Sequence, residues 1–233
     1  MAKKYNLTNP TQHKCQIPNL AEIYENYLGY KKDGSFVEVG AFDGLSWSNT
    51  FGLAVAGWKG IFFEPQPDYY IQCQKNYEDF PNIKIINSCV GDHVGKIKLY
   101  TGYSLATTDL ESLKEYNKID WFKGVLDENK HVESNIDTLD NFLEKENFNE
   151  EFDVLGIDVE GAEYSVLKGF TISKWKPKLV IIELHEDNQY DSLKKDLKEI
   201  LDYFEKNEYE KVYKDENNSI FVHKNIINKN IQK

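Results

Sequence analysis

Short apolar runs alternate with amphipathic stretches along most of the chain. Ser35-Phe36-Val37-Glu38-Val39, Gly60-Ile61-Phe62-Phe63 and Ile83-Lys84-Ile85-Ile86-Asn87 read as strands. Between them, Trp47 to Ala56 (closed by Gly57) and Pro67 to Tyr77 (opened by proline) carry helical spacing, as does the earlier stretch from Pro18 to Gly29. Further on, Thr138 to Lys145 predicts a helix, Phe152 to Ile157 a strand, Glu163 to Lys168 a short helix and Leu179 to Ile182 a buried strand. Tyr190 to Asn207 predicts an amphipathic helix with Leu193, Leu197, Leu201 and Phe204 on one stripe. Glu210 to Tyr213 and Ser219 to His223 read as a hairpin. This order predicts an α/β fold: a doubly wound parallel sheet with an antiparallel C-terminal hairpin at its edge.

The middle breaks the pattern. Lys96 to Tyr100 reads as an extra strand, and residues 102–131 are polar, aromatic and irregular. The expected organisation is an N-terminal segment with a helix over 1–33 and a main domain over 34–233. Within that domain, about 95–135 forms a substrate or lid insertion, since long loops in compact domains are often functional. Tyr103, Ser104 and Trp121 are its candidate substrate contacts, with Ser104 to Thr108 as a lid; the alternative is that its aromatics, Phe122 included, form a satellite core.

Composition narrows the partners. With 28 basic and 39 acidic residues the net charge is −11, which argues against a nucleic-acid partner. At 40% hydrophobic and 14% aromatic residues the chain is too apolar for disorder, yet no run reaches the ~20 apolar residues of a membrane span. Cys15, Cys73 and Cys89 lack metal-type spacing, and the first residues carry no apolar leader, so a soluble cytoplasmic protein is expected. The basic run from Lys224 to Asn230 reads as a frayed tail.

The informative stretch is Phe36-Val37-Glu38-Val39-Gly40-Ala41-Phe42-Asp43-Gly44, where a doubly wound sheet binds ligands beyond its first strand. Gly40 permits close backbone approach and Gly44 a turn closed to other residues. A dinucleotide fingerprint needs a second glycine that is missing here, and Asp43 stands where phosphate charge would sit. Glu38 and Asp43 suit a cationic ligand instead. Glu64, before Pro65 at the end of the second strand, is placed to accept two ribose hydroxyls. Asp92, after the third strand, is placed to accept an adenine amino group. Together these three strand ends describe S-adenosylmethionine.

These residues resemble the FkbM-type methyltransferases. Phe36 to Gly44, Ser48-Asn49-Thr50, Gly57-Trp58-Lys59-Gly60-Ile61 with Glu64-Pro65, and Ile157-Asp158-Val159-Glu160-Gly161-Ala162-Glu163 carry the resemblance, over roughly residues 34–187. It implies a Rossmann-like class I methyltransferase fold with a seven-stranded sheet, and O-methylation, often of sugar hydroxyls. By the same resemblance Glu38, Gly40, Asp43, Gly44, Ser48, Glu64, Pro65, Asp92 and Asp158 belong to the cofactor site. The expected partner is a small-molecule or glycan acceptor; whether the chain forms a homodimer is left open.

Transfer to a hydroxyl needs a group that takes its proton, or a metal that acidifies it. Asp158 and Glu160 follow the fourth strand; Glu183 and His185 end the fifth. In one reading His185 is the base, oriented by Asp158 or Glu183, with Glu160 a further catalytic candidate. In the other, Asp158, Glu183 and His185 ligate Mg²⁺ or Mn²⁺. Glu163 reads as a helix-start acid.

Overall fold

A computed structural model describes residues 15–102, 105–120, 122–187, 194 and 196–231, the last three by backbone alone. Its larger sheet contains β1 (Ser35–Val39), β2 (Lys59–Phe63), β3 (Ile83–Ile86), β8 (Val154–Ile157), β9 (Leu179–Glu183), β10 (Tyr209–Lys214) and β11 (Asn218–His223). Their order across the sheet is β10-β11-β9-β8-β1-β2-β3, parallel but for β11, which is antiparallel to both β9 and β10. The alternating pattern explains the layers, since successive residues of a strand face opposite ways. Val37, Val39, Ile61, Phe63, Leu155 and Val180 pack under α5 (Leu139–Lys145), α6 (Glu163–Lys168) and α8 (Leu197–Lys206). Phe36, Phe62, Val154, Leu179 and Ile181 pack on the other face under α1 (Leu20–Leu28), α2 (Phe51–Val55) and α3 (Pro67–Asn76).

Several expectations change. The helix expected from Trp47 begins at Phe51, because Ser48 Oγ accepts the N–H groups of Thr50 and Phe51 and Asp43 holds its own turn. The insertion is not irregular. β4 (Cys89–Val90), β5 (Gly95–Gly102), β6 (Leu105–Thr107) and β7 (His131–Asp137) form a second sheet in the order β4-β7-β5-β6, with α4 (Leu110–Tyr116) beside it. Tyr100, Leu113, Tyr116, Ile119, Phe122 and Leu126 bury one another there as a satellite core. A short α7 (Ile172–Trp175) precedes β9. The C-terminal run is a helix, α9 (Lys224–Ile231), whose Ile226 and Ile227 pack beside α1 against the sheet, rather than a frayed tail. The N-terminal segment also joins that core, through Ile17, Leu20 and Tyr24. Residues 190–193 of the expected last helix lie outside the described residues. No helix among the described residues is long and apolar enough to cross a membrane.

Candidate active site

The chain turns from building one side of the large sheet to the other between β1 and β8, and a cleft of about 450 Å³ opens at their carboxyl ends. Val39 pairs with Ile157, so Gly40 and Asp158 leave the sheet side by side. The fit is tight. Gly40 has φ 88°, and a Cβ there would stand 1.7 Å from the Asp158 carbonyl oxygen. This position therefore demands glycine on both conformational and steric grounds.

Two buried acids line the cleft. Glu38 lies on the Phe36 face of β1, beneath the start of α2, and accepts the hydroxyls of Ser48, at 3.1 Å, and of Thr50. Burial pushes its carboxyl up to about 7 against the lowering effect of those hydroxyls. Glu64 ends β2 and is 4% exposed. It accepts the N–H of Phe42 and of Gln66, each at 2.7 Å, and burial raises it to about 7. Pro65 lines the cleft beside it.

Three residues assigned to the cofactor from sequence lie elsewhere. Asp43 turns inward and accepts Leu45 N–H, Ser46 N–H and Ser46 Oγ, closing its own loop. Gly44 lies beneath α3, where a Cβ would meet the Tyr77 ring at 2.5 Å, and its carbonyl accepts the Tyr77 hydroxyl. Asp92 is bound by His93 at 2.8 Å and Lys168 at 2.9 Å, which hold its carboxyl down at about 2. None of the three lines the cleft; beyond β3 that place is taken by Ser88, Cys89 and Val90. His93 thus has a partner the sequence did not reveal.

The acceptor-side candidates separate into two groups. Asp158 and Glu160 line the cleft, whereas Glu183 and His185 line a small second cavity behind it. Carboxylate oxygens of Asp158, Glu160 and Glu183 lie within 4.8 Å of one another. Burial, then repulsion from Glu183 and Asp158, pushes Glu160 well above the usual carboxylate range. Burial and then Asp158 do the same to Glu183. Glu160 accepts the Tyr116 hydroxyl at 2.7 Å. The Nε2 of His185 is 3.5 Å from Glu183 Oε1, and neither ring nitrogen makes a hydrogen bond among the described residues. His185 lies in the left-handed region at φ 47° and lines the second cavity rather than the cleft. Glu163 opens α6 and accepts the N–H groups of Val159 and Gly161, so it braces the preceding loop.

Gln16, Phe42, Asn49, Ser88 and Cys89 also line the cleft but were not singled out from the sequence. Asn49 lies in the Ser48-Asn49-Thr50 block and was within reach of motif reading; Gln16 sits in a stretch without periodicity. Tyr103, Ser104 and Trp121 lie outside the described residues.

A doubly wound seven-stranded sheet with a C-terminal antiparallel pair, and an acid-lined cleft at its switch point, define a Rossmann-like class I methyltransferase fold. Residues 38–211 match the methyltransferase FkbM domain, and the chain belongs to that family. Among solved structures, the methyltransferase FkbM from Methylobacillus flagellatus KT is similar at 15% identity and TM-score 0.51, over 82% of this chain and 44% of that one. The chain therefore spans less than half of that protein's length. A precorrin-6y C5,15-methyltransferase from Geobacter metallireducens GS-15 is 10% identical at TM-score 0.44, over 86% and 85% of the two chains. The Methanococcus jannaschii fibrillarin pre-rRNA processing protein is 17% identical at TM-score 0.42, over 83% and 67%. No curated protein matches the chain. The family implies S-adenosylmethionine as methyl donor, and the cleft fits it: its volume is that of a small-molecule site, and acids rather than lysines line its walls.

Proposed function

We propose that the protein is an S-adenosylmethionine-dependent O-methyltransferase acting on a hydroxyl of a sugar or small glycan. Asp158 and Glu160 sharing one cleft with Glu38 and Glu64 is the observation that carries this reading. When bound, S-adenosylmethionine supplies an electrophilic methyl group. Glu64 has lone pairs left beyond its two backbone bonds and would hold the ribose hydroxyls. Glu38, Gly40, Ser48 and Pro65 would shape the donor side of the pocket, with Ser88 and Cys89 in the place first given to Asp92. On the acceptor side, Asp158 would take the proton that the acceptor hydroxyl gives up, a role for which geometry precedes pKa. Glu160 would then serve as its hydrogen-bonding neighbour, and His185 would orient Glu183 from behind.

The same oxygens support a second reading, in which Asp158, Glu160 and Glu183, whose carboxylate oxygens lie within 4.8 Å of one another, hold Mg²⁺ or Mn²⁺. Titration with S-adenosylhomocysteine, then radiolabelled S-adenosylmethionine with a pool of methyl glycosides, tests the function. Binding with label transferred to a glycoside supports it; labelled product from non-sugar hydroxyls alone overturns the acceptor class. Asp158→Asn should lose at least about a hundredfold in turnover, the range expected of an acid–base group, and His185→Ala much less. The reverse order would return the base to His185, and loss of activity in chelator with recovery in Mn²⁺ would favour the metal reading.

A further inference from the structure

Gln16 precedes the residues that match the family domain, yet its side chain lines the cleft. Flanking residues fix its place. Ile17 is fully buried under the sheet, and Cys15 forms a parallel bridge with Trp47. Gln16 Nε2 donates to Asp158 Oδ2 at 2.9 Å, and Gln16 Oε1 accepts from Asn49 Nδ2 at 3.0 Å. Chemistry sets the sense of this relay, because a reversed amide would press an oxygen against the carboxylate.

Asp158 stands among acids. Glu38 faces it from β1, Glu160 and Glu163 from the loop and helix after β8, and Glu183 from β9. Some acids elsewhere are paired with cations: Asp153 with Lys31 and Lys178, Asp92 with Lys168 and His93. Asp158 makes no ion pair with lysine or histidine among the described residues. A lysine there would hold the carboxylate but weaken it as a base; a neutral amide holds it without that cost. We infer that Gln16 is a positioning residue for Asp158, so that the stretch before the family domain completes the active site. This rests on reading Asp158 as the group that receives the acceptor proton. Asn49 Oδ1, buried on the cleft wall and without a hydrogen-bond partner among the described residues, remains to accept an O–H or N–H of the bound molecule.

Two variants test the inference. Gln16→Met keeps the length and bulk but loses both hydrogen bonds; Gln16→Glu keeps the acceptor of Asn49 and turns a carboxylate toward Asp158. With the methyl glycoside pool and saturating S-adenosylmethionine, the Met variant should lose about tenfold in rate and the Glu variant about a hundredfold, the scale of a misplaced reacting group. Calorimetry should find S-adenosylhomocysteine bound within about threefold of wild type in both, since their effect lies in orientation rather than uniform binding. Wild-type rates in both variants, or losses in cofactor affinity matching those in rate, overturn the inference. If the wild-type protein methylates no glycoside, the acceptor reading fails by itself. Crystals of Gln16→Met with S-adenosylhomocysteine then decide: a displaced Asp158 side chain supports the role of Gln16, and an unmoved one overturns it.

Discussion

The backbone N–H of Phe42 donates to Glu64 Oε2 at 2.7 Å, which ties the loop after the first strand to the acid that ends the second. Gln66 N–H holds the other oxygen, Oε1, at the same distance. Glu64 is thus built into the backbone and cannot swing away when the pocket is empty. Glu64→Ala would leave two N–H groups unpaired as well as removing the ribose acceptor. Its affinity for S-adenosylhomocysteine should fall by at least about a hundredfold, the cost of losing a hydrogen-bonded charged group. Calorimetry that finds near-native affinity would remove Glu64 from the cofactor site.

Acidity offers a second check. Glu38 and Glu64 are each raised to about 7 by burial, far above their unfolded value. The folded state therefore binds more protons than the unfolded chain between about pH 4.5 and 7, and stability falls as pH rises through that window. Urea unfolding of the unliganded protein should show a decline of about a few kcal/mol from pH 5 to pH 7.5, with Glu38→Gln flattening part of it. Asp92 acts in the opposite sense, but its window lies below about pH 4, where its pairing with Lys168 and His93 is lost. Stability that rises between pH 5 and pH 7.5 would contradict the burial of these carboxyls in the unliganded state.

Gly40 joins the fold to the site. Gly40→Ala places a methyl group 1.7 Å from a backbone oxygen, at a φ that disfavours any side chain. The strand ends must part, at a cost of about 1–3 kcal/mol from backbone strain alone. A melting temperature lowered by several degrees is expected, together with loss of S-adenosylhomocysteine binding. Retention of both would mean that β1 and β8 separate more easily than their register suggests.

The larger sheet was legible because its strands alternate by face and each connection between its parallel strands carries a helix. Phe36 and Val37, adjacent in sequence, go to opposite cores, and that alternation is what the apolar pattern records. Glu38 and Glu64 could be placed on strand ends for the same reason. Asp43 and Asp92 were misplaced because sequence gives a carboxylate's position but not its nearest donor. Ser46 and the adjoining N–H groups claim the first, Lys168 and His93 the second. His185 shares strand parity with Glu183 and the two do face one cavity, 3.5 Å apart, but parity could not tell that cavity from the cleft that Asp158 and Glu160 line. In the insertion, the strand over Lys96 to Tyr100 and the satellite core, as an alternative, were legible; β6 and α4 were not, being too short to show a period.

That insertion lines the cleft directly with Leu105, Thr108 and Phe122, and also reaches it through the Tyr116 hydroxyl. Tyr116 ends α4, is buried in the satellite core, and donates to Glu160 Oε2 at 2.7 Å. Glu160 sits at φ 56° and is crowded by Asp158 and Glu183, so the phenol both places it and offsets its repulsion. Tyr116→Phe retains the ring packing against Phe122 and removes the donor alone. Glu160 then loses the bond that lowers its carboxyl pKa, which raises it further and biases it toward the protonated form. Turnover should fall about tenfold, equivalent to one charge-assisted hydrogen bond, with melting temperature and S-adenosylhomocysteine affinity near wild type. A fall in stability with full activity would instead confine Tyr116 to the satellite core and leave Glu160 to be positioned by its own loop.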